Sequence, residues 1–188
     1  MRNILCIDDI ESNLFVLESV LEDDKNESYN VLTALSAHAG LDILLRSKVD
    51  IILLDVMMPE VDGFLCAQMI KSNKKTKDIP IIFVTAKKDD DTIDKCYAVG
   101  GADYVNKPFN SVELLARVSF HLRFQDKTRL LEEEKKYVQN ILDLQENLII
   151  VTDGKKALNA NKALLNFFGL RNFSEFQSNH VCIDSALI

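Results

Sequence analysis

The sequence predicts an α/β fold, a doubly wound five-stranded parallel sheet, and three observations carry that expectation. Apolar runs of strand length recur five times in about 120 residues, each followed by a stretch with helical spacing of apolar positions. The runs Ile51-Ile52-Leu53-Leu54 and Ile81-Ile82-Phe83-Val84 are apolar without alternation, as in strands covered on both faces. Four of the five end in residues with chemistry to offer: Asp8-Asp9, Asp55, Thr85 and Lys107.

Taken in order, Asn3 to Ile7 form the first strand, stopped by Asp8-Asp9, and a helix follows from Asn13 through Leu21. Tyr29 to Ala34 is the second strand, and Ala37 to Ser47, with Leu41, Leu44 and Leu45 on one face, the second helix. Asp50 to Asp55 is the third strand, followed by Pro59, with Gly63 to Ser72 in the third helix. A basic loop, Lys74 to Asp78, leads through Pro80 into the fourth strand, Ile81 to Thr85. Asp91 to Val99 is the fourth helix, closed by Gly100-Gly101. Ala102 to Asn106 is the fifth strand, followed by Lys107-Pro108-Phe109 and a helix from Asn110 or Ser111. Right-handed crossovers and this count fit the flavodoxin-like order 2-1-3-4-5. Strands one and three are then neighbours, so Asp8 and Asp9 come beside Asp55 at the carboxyl rim, with Thr85 and Lys107 lining the far side.

From Ser111 to about Leu148 there is neither Gly nor Pro, which predicts one helix of roughly 55 Å. Leu130, Tyr137 and Leu144 recur every seven residues, interleaved by Ile141 and Leu148, while Glu134 falls on the stripe and Leu131, Val138 and Leu142 form an offset one. A dimeric coiled coil and a helix packed within its own chain are the two readings. Leu148 to Gly154 then resets the pattern to a strand and tight turn, Lys155 to Asn159 suggests a second strand, and Ala163 to Gly169 an amphipathic helix. Phe173, Phe176, Val181 and Ile183 are apolar, yet some forty residues rarely fold alone, so the expectation is a partial α+β segment of a longer protein.

The composition is that of a globular chain: 188 residues, 47% hydrophobic and 27% charged. A net charge of −7 argues against a nucleic-acid surface. Cys6, Cys66, Cys96 and Cys182 are dispersed, as reduced thiols are rather than a disulfide frame or zinc site. The early first strand leaves no room for a signal peptide, and no apolar run spans a membrane. A cytoplasmic location is expected.

Three carboxylates converging on one crevice repel one another unless a cation joins them, and an oxygen-only donor set favours Mg²⁺ over Zn²⁺. Metal plus Lys107 suggests phosphoryl transfer, with Asp55 as nucleophile, Lys107 neutralising the phosphoryl oxygens and Thr85 hydrogen-bonding one of them. Singly each residue has a bland reading: Asp9 as a helix cap, Thr85 as a strand-end hydroxyl, Lys107 as a surface charge. Jointly they form a pattern that chance rarely places on one edge.

Residues 1–124 resemble the receiver domain of two-component response regulators. The motifs are Ile7-Asp8-Asp9 with Asn13, Leu54 to Pro59 with Asp62-Gly63, Pro80 to Ala86, and Gly101 to Phe109. The resemblance implies that Asp55 accepts a phosphoryl group from a histidine kinase or phosphotransfer protein. It implies that Asp9, Asp55 and the Met57 carbonyl bind Mg²⁺, with Asp8 acting through water. Thr85 and Tyr104 would be the switch pair, the Lys107-Pro108 bond would be cis, and Met57 and Lys88 would border the path of the hydrolytic water. Phosphorylation would remodel the face made by the fourth helix, fifth strand and fifth helix. Residues 125–147 would be a helical coiled-coil linker that forms a homodimer with that face. Residues 148–188 resemble the opening of a PAS domain through Val151 to Gly154, Asn159 to Ala163 and Phe167 to Leu170; another α+β domain is the alternative. Such a chain suits control of a diguanylate cyclase, a histidine kinase or another effector.

Two rival functions remain at this point. A haloacid-dehalogenase-like phosphatase also uses an aspartate and Mg²⁺, but needs a second aspartate where Met57 stands. A dimerising adaptor would be indifferent to phosphorylation.

Overall fold

The computed structural model describes residues 1–86 and 89–179. Lys88, Val181, Cys182 and Ile183 lie outside the described residues. Two compact units divide the chain, Met1–Gln125 and Asp126–Ile188.

In the first unit, β1 (Arg2–Ile7), α1 (Glu11–Glu22), β2 (Tyr29–Ala34), α2 (Ala37–Arg46) and β3 (Ile51–Asp55) are followed by α3 (Gly63–Ser72), β4 (Ile81–Thr85), α4 (Asp90–Ala98) and β5 (Asp103–Asn106). The helix α5 (Ser111–Asp143) runs from the first unit into the second. The sheet has the predicted order β2-β1-β3-β4-β5, and every pairing is parallel. Every residue of β3 and β4 is buried, which is why those segments read as unbroken apolar runs.

Side-chain alternation splits the core in two. On one face, Ile7, Ile52, Leu54 and Phe83 pack with Cys66 and Ile70 of α3 and Cys96 of α4. On the other, Cys6, Leu53 and Val84 meet Leu14 and Leu17 of α1 and Val118 of α5. Each such side chain stabilises the fold by about 1.5–3 kcal/mol on burial. Cys6, Cys66 and Cys96 are free and buried, and burial pushes the Cys66 and Cys96 thiols up to about 11, so they serve as packing groups.

Helix ends follow local chemistry. Ser36, Asp62 and Asp89 cap α2, α3 and α4 by accepting from Ala39, Leu65 and Thr92 amides. At the far end of α4, Gly100 (φ 89°) donates to the Tyr97 carbonyl and Gly101 to the Cys96 carbonyl, the paired bonds of a Schellman motif. No described helix is long and apolar enough to cross a membrane.

The predicted helix to Leu148 stops instead at Asp143. Its 33 residues span about 50 Å. The second unit continues with β6 (Ile150–Thr152), β7 (Ala157–Ala160), α6 (Lys162–Phe167) and α7 (Phe173–Asn179), the last an element that the isolated Phe173 and Phe176 did not announce. The strands β6 and β7 are antiparallel, and Ala160, Leu164 and Phe176 form a small core.

One fully buried residue, Asn161, explains why α5 ends where it does. Its Nδ2 lies within hydrogen-bond reach of the carbonyls of Leu142 (3.1 Å), Gln145 (3.2 Å) and Asn147 (2.8 Å). Its Oδ1 accepts from the amides of Ile149 (3.0 Å) and Leu164 (3.1 Å). The amide thus gathers the last carbonyls of α5, the start of β6 and the N-terminus of α6. Asp143 Oδ1 adds a bond from the Lys162 amide, and Gln139 Oε1 one from Asn159 Nδ2.

Asn161→Ala orphans several of these groups at once and is expected to cost the second unit about 2–3 kcal/mol or more. Hydrogen exchange should show β6, β7 and α6 losing protection while β1, β3 and β4 keep theirs.

Candidate functional site

The same alternation decides which of the predicted residues meet. Asp8 continues the series Ile4, Cys6; Asp55 continues Ile51, Leu53; Lys107 continues Val105, all directed toward the face of α1 and α5. At the rim the three converge. Lys107 Nζ donates to Asp8 Oδ2 at 2.6 Å and also to Asp55 Oδ1. Lys107 therefore crosses the tip of β4 to join strands one and three.

Both carboxylates are held from several directions. Asp8 is 1% exposed, and its Oδ1 accepts from the Ile10 amide (3.0 Å) and Asn13 Nδ2 (2.9 Å). At the start of α1, Ile10 at the cap position offers no side-chain acceptor, and Asp8 holds the Ile10 amide and the Asn13 side chain of the first turn. Asp55 Oδ2 accepts from the Met57 amide at 2.6 Å. Burial raises the Asp55 carboxyl pKa above its ordinary value, while the bond and charge of Lys107 oppose that rise. Burial disfavours the Lys107 ammonium, but Asp55 and Asp8 outweigh it and its pKa is raised.

Asp9 follows Asp8 in a bend between β1 and α1. It lines a cleft of about 450 Å³ with Met57, Pro59, Asp62, Phe64 and Lys95. Among the described residues no three His, Cys, Asp or Glu side chains are grouped as a metal site. The donor types nevertheless suit a hard cation: Asp8, Asp9 and Asp55 bring only oxygen, the Met57 carbonyl adds another, and three carboxylates outnumber one ammonium.

Gly63 sets the depth of the site, since a Cβ there would lie 2.1 Å from the Asp55 carbonyl oxygen and 2.9 Å from Val56 Cα. Its amide donates to the Val56 carbonyl, drawing the start of α3 against the end of β3. The Lys107-Pro108 bond is cis, and the Lys107 amide donates to the Thr85 carbonyl at 2.7 Å.

Thr85 and Tyr104 lie on the opposite face from Asp55. The β4–β5 register pairs Phe83 with Tyr104 and Thr85 with Asn106, so all four side chains belong to the side of α3 and α4. Thr85 is fully buried, and the Tyr104 ring meets Tyr97 of α4 edge-on at 6.2 Å with the Arg117 guanidinium 6.0 Å from its centroid. Beside it, a cluster that sequence reading missed joins β5 to α5: Arg117 Nη1 bonds Asp103 Oδ1 at 2.6 Å, and His121 Nε2 lies 3.3 Å from Asp103 Oδ2. The signal was available, because Arg117 and His121 stand four apart on one helical face. Although burial pushes the Asp103 carboxyl up, bonds from His121 and Arg117 hold it well below the usual range, at about 2.

Comparison with known proteins gives this arrangement a family context. The model of the response regulator receiver domain matches residues 4–119. The transcriptional regulatory protein SpaR of Bacillus subtilis is 33% identical over 164 residues, 86% of this chain and 70% of that protein. The transcriptional regulatory protein YvrH of Bacillus subtilis is 39% identical over 122 residues, 64% of this chain and 49% of that one. The response regulator PleD of Caulobacter vibrioides is 40% identical over 124 residues, 65% of this chain and 26% of PleD. The chain thus spans about half of YvrH and about a quarter of PleD. Among solved structures, a putative response regulator from Chloroflexus aurantiacus aligns with a TM-score of 0.61 at 30% identity, covering 65% of this chain and 98% of that one.

Two expectations follow from the geometry. Lys107→Met leaves two buried carboxylates facing each other and should destabilise the first unit by about 3–5 kcal/mol, a loss that Asp55→Asn in the same chain partly restores; urea denaturation of the double-mutant cycle measures it. Asp103 has a folded pKa depressed from 3.8 to about 2, so its contribution is complete above the unfolded value and is lost as pH falls from about 4 to about 2. The stability difference between the native chain and Asp103→Asn should shrink across that window and be level above it.

Proposed function

The chain belongs to the response regulator receiver domain family, and from that premise we propose that Asp55 is its phosphoacceptor. The observation that carries the proposal is the Lys107 ammonium, bonded at once to Asp8 and to Asp55 on adjoining strand tips. An Asp55 carboxylate oxygen attacks the phosphorus of a phosphohistidine on a histidine kinase or phosphotransfer protein. The P–N bond breaks, the imidazole leaves with the electron pair, and an acyl phosphate remains on Asp55. Burial makes the Asp55 anion the more basic nucleophile, and Lys107 keeps it ionised and then faces the new phosphoryl oxygens. Mg²⁺ held by Asp8, Asp9, Asp55 and the Met57 carbonyl would supply further positive charge against those oxygens.

The phosphoryl group adds nearly two negative charges and strong acceptors at the end of β3. Thr85 is drawn toward it, and Tyr104 turns inward from its place between Tyr97 and Arg117. That change alters the surface of α4, β5 and α5, and α5 carries it onward. Along α5 the side chains of Leu130, Leu131, Tyr137 and Val138 are all about half exposed or more, which supports a homodimer through a second copy of this helix. Residues 1–124 are then the receiver, 125–147 the linker, and 148–188 the opening of a PAS-like sensor. The hairpin β6–β7 followed by α6 supports the last assignment. The output it controls belongs to the wider protein.

Incubation with labelled acetyl phosphate and Mg²⁺ should incorporate one phosphoryl group per chain, and Asp55→Asn should abolish it. Rapid turnover of many phosphomonoesters without a stable label would overturn the reading in favour of a hydrolase. Beryllofluoride should shift the sedimentation of the native chain toward dimer and leave Asp55→Asn unmoved.

A further inference from the structure

Asn106 has no task in the phosphoacceptor reading, yet its surroundings single it out. Its Oδ1 is buried and accepts no hydrogen bond, the sole buried side-chain nitrogen or oxygen in that condition among the described residues. Buried acceptors are nearly always paired, because one left alone carries its full desolvation penalty. The position of this one is informative. Asn106 is the register partner of Thr85 and stands two residues beyond Tyr104 on the same strand face. Thr85, Tyr104 and Asn106 therefore form a corner on the side of α3 and α4, opposite the face that holds Asp8, Asp55 and Lys107. Tyr104 and Asn106 have Cα atoms about 6.6 Å apart along an extended strand, roughly the span of a tyrosine side chain.

We propose that Asn106 is a third, positioning member of the switch, its amide oxygen accepting a hydrogen bond from the Tyr104 hydroxyl when that ring turns inward. This rests on the reading of Thr85 and Tyr104 as a phosphorylation switch. In the structure the Tyr104 ring lies against Tyr97 and Arg117, and the Asn106 acceptor is unmet. The unmet acceptor raises the energy of that arrangement alone and so biases the equilibrium toward the inward ring. An apolar side chain of similar size removes both the penalty and the partner, and deepens the outward state.

The test uses the full chain labelled with fluorotyrosine, its four tyrosine resonances assigned by Tyr→Phe substitution. Beryllofluoride with Mg²⁺ is titrated while the Tyr104 resonance and an amide near Asp55 are followed. Asn106→Leu, and the smaller Asn106→Val, should need roughly tenfold more beryllofluoride to move the Tyr104 resonance. Asn106→Thr, which keeps an acceptor, should stay within about threefold of the native chain. In a Tyr104→Phe background, which lacks the hydroxyl, Asn106→Leu should have no effect on the amide titration. Labelling of Asp55 by acetyl phosphate should persist in every Asn106 variant. Normal labelling with an Asn106→Leu titration within twofold of native overturns the inference alone, as does equal weakening in the Tyr104→Phe background. A native chain whose Asp55 takes no label, or whose Tyr104 resonance does not move, overturns the switch reading and the inference together.

Discussion

The structure of the rim depends on one ammonium group shared by two buried carboxylates. Asp8 and Asp55 end adjoining strands and project to the same face, which without a cation between them would set two negative charges in an apolar setting. Lys107, ninety-nine residues from Asp8, reaches across β4 to both. The rest of the rim is arranged so that this can happen. Asn13 and the Ile10 amide fix Asp8, the Met57 amide fixes Asp55, and Gly63 allows α3 to begin against the backbone of β3.

Much of this was legible in the sequence, and the reason is periodicity. Strands buried on both faces must be apolar throughout, so β3 and β4 declared themselves, and five alternations of strand and helix leave few topologies open. Where the pattern falls short, the causes are equally physical. Asp8 and Asp9 adjoin in sequence, and composition alone does not say that Asp8 is the one fixed by the Ile10 amide and Asn13. For Lys107, strand order fixes where its backbone ends, not how far its long flexible side chain reaches. The pattern carries α5 to about Leu148, five residues past its end at Asp143, since nothing local says that Asn161, some twenty residues on, collects its last carbonyls.

The division between the faces of the sheet gives the proposed signal a direction. Charge chemistry occupies the side of α1 and α5, through Asp8, Asp55 and Lys107. The proposed switch pair, Thr85 and Tyr104, occupies the side of α3 and α4. Only the tips of β4 and β5 are common to both, where the Lys107 amide bonds the Thr85 carbonyl. A phosphoryl group on Asp55 changes what Lys107 must neutralise, and the backbone that carries Lys107 is the backbone against which Thr85 is registered.

In the proposed signal, α5 is the helix that a change at β5 meets first. Arg117 and His121 tie its first turns to Asp103, the residue before Tyr104, while Leu114 and Val118 are fully buried against the sheet. At its other end, Gln139 and Asp143 bond Asn159 and the Lys162 amide, and Asn161 gathers the final carbonyls. Between these anchored ends the helix has neither Gly nor Pro, the residues at which a sharp bend would relieve strain. Each end of α5 is thus held within its own unit, by Asp103 and the sheet in the first and by Asn159, Asn161 and the Lys162 amide in the second.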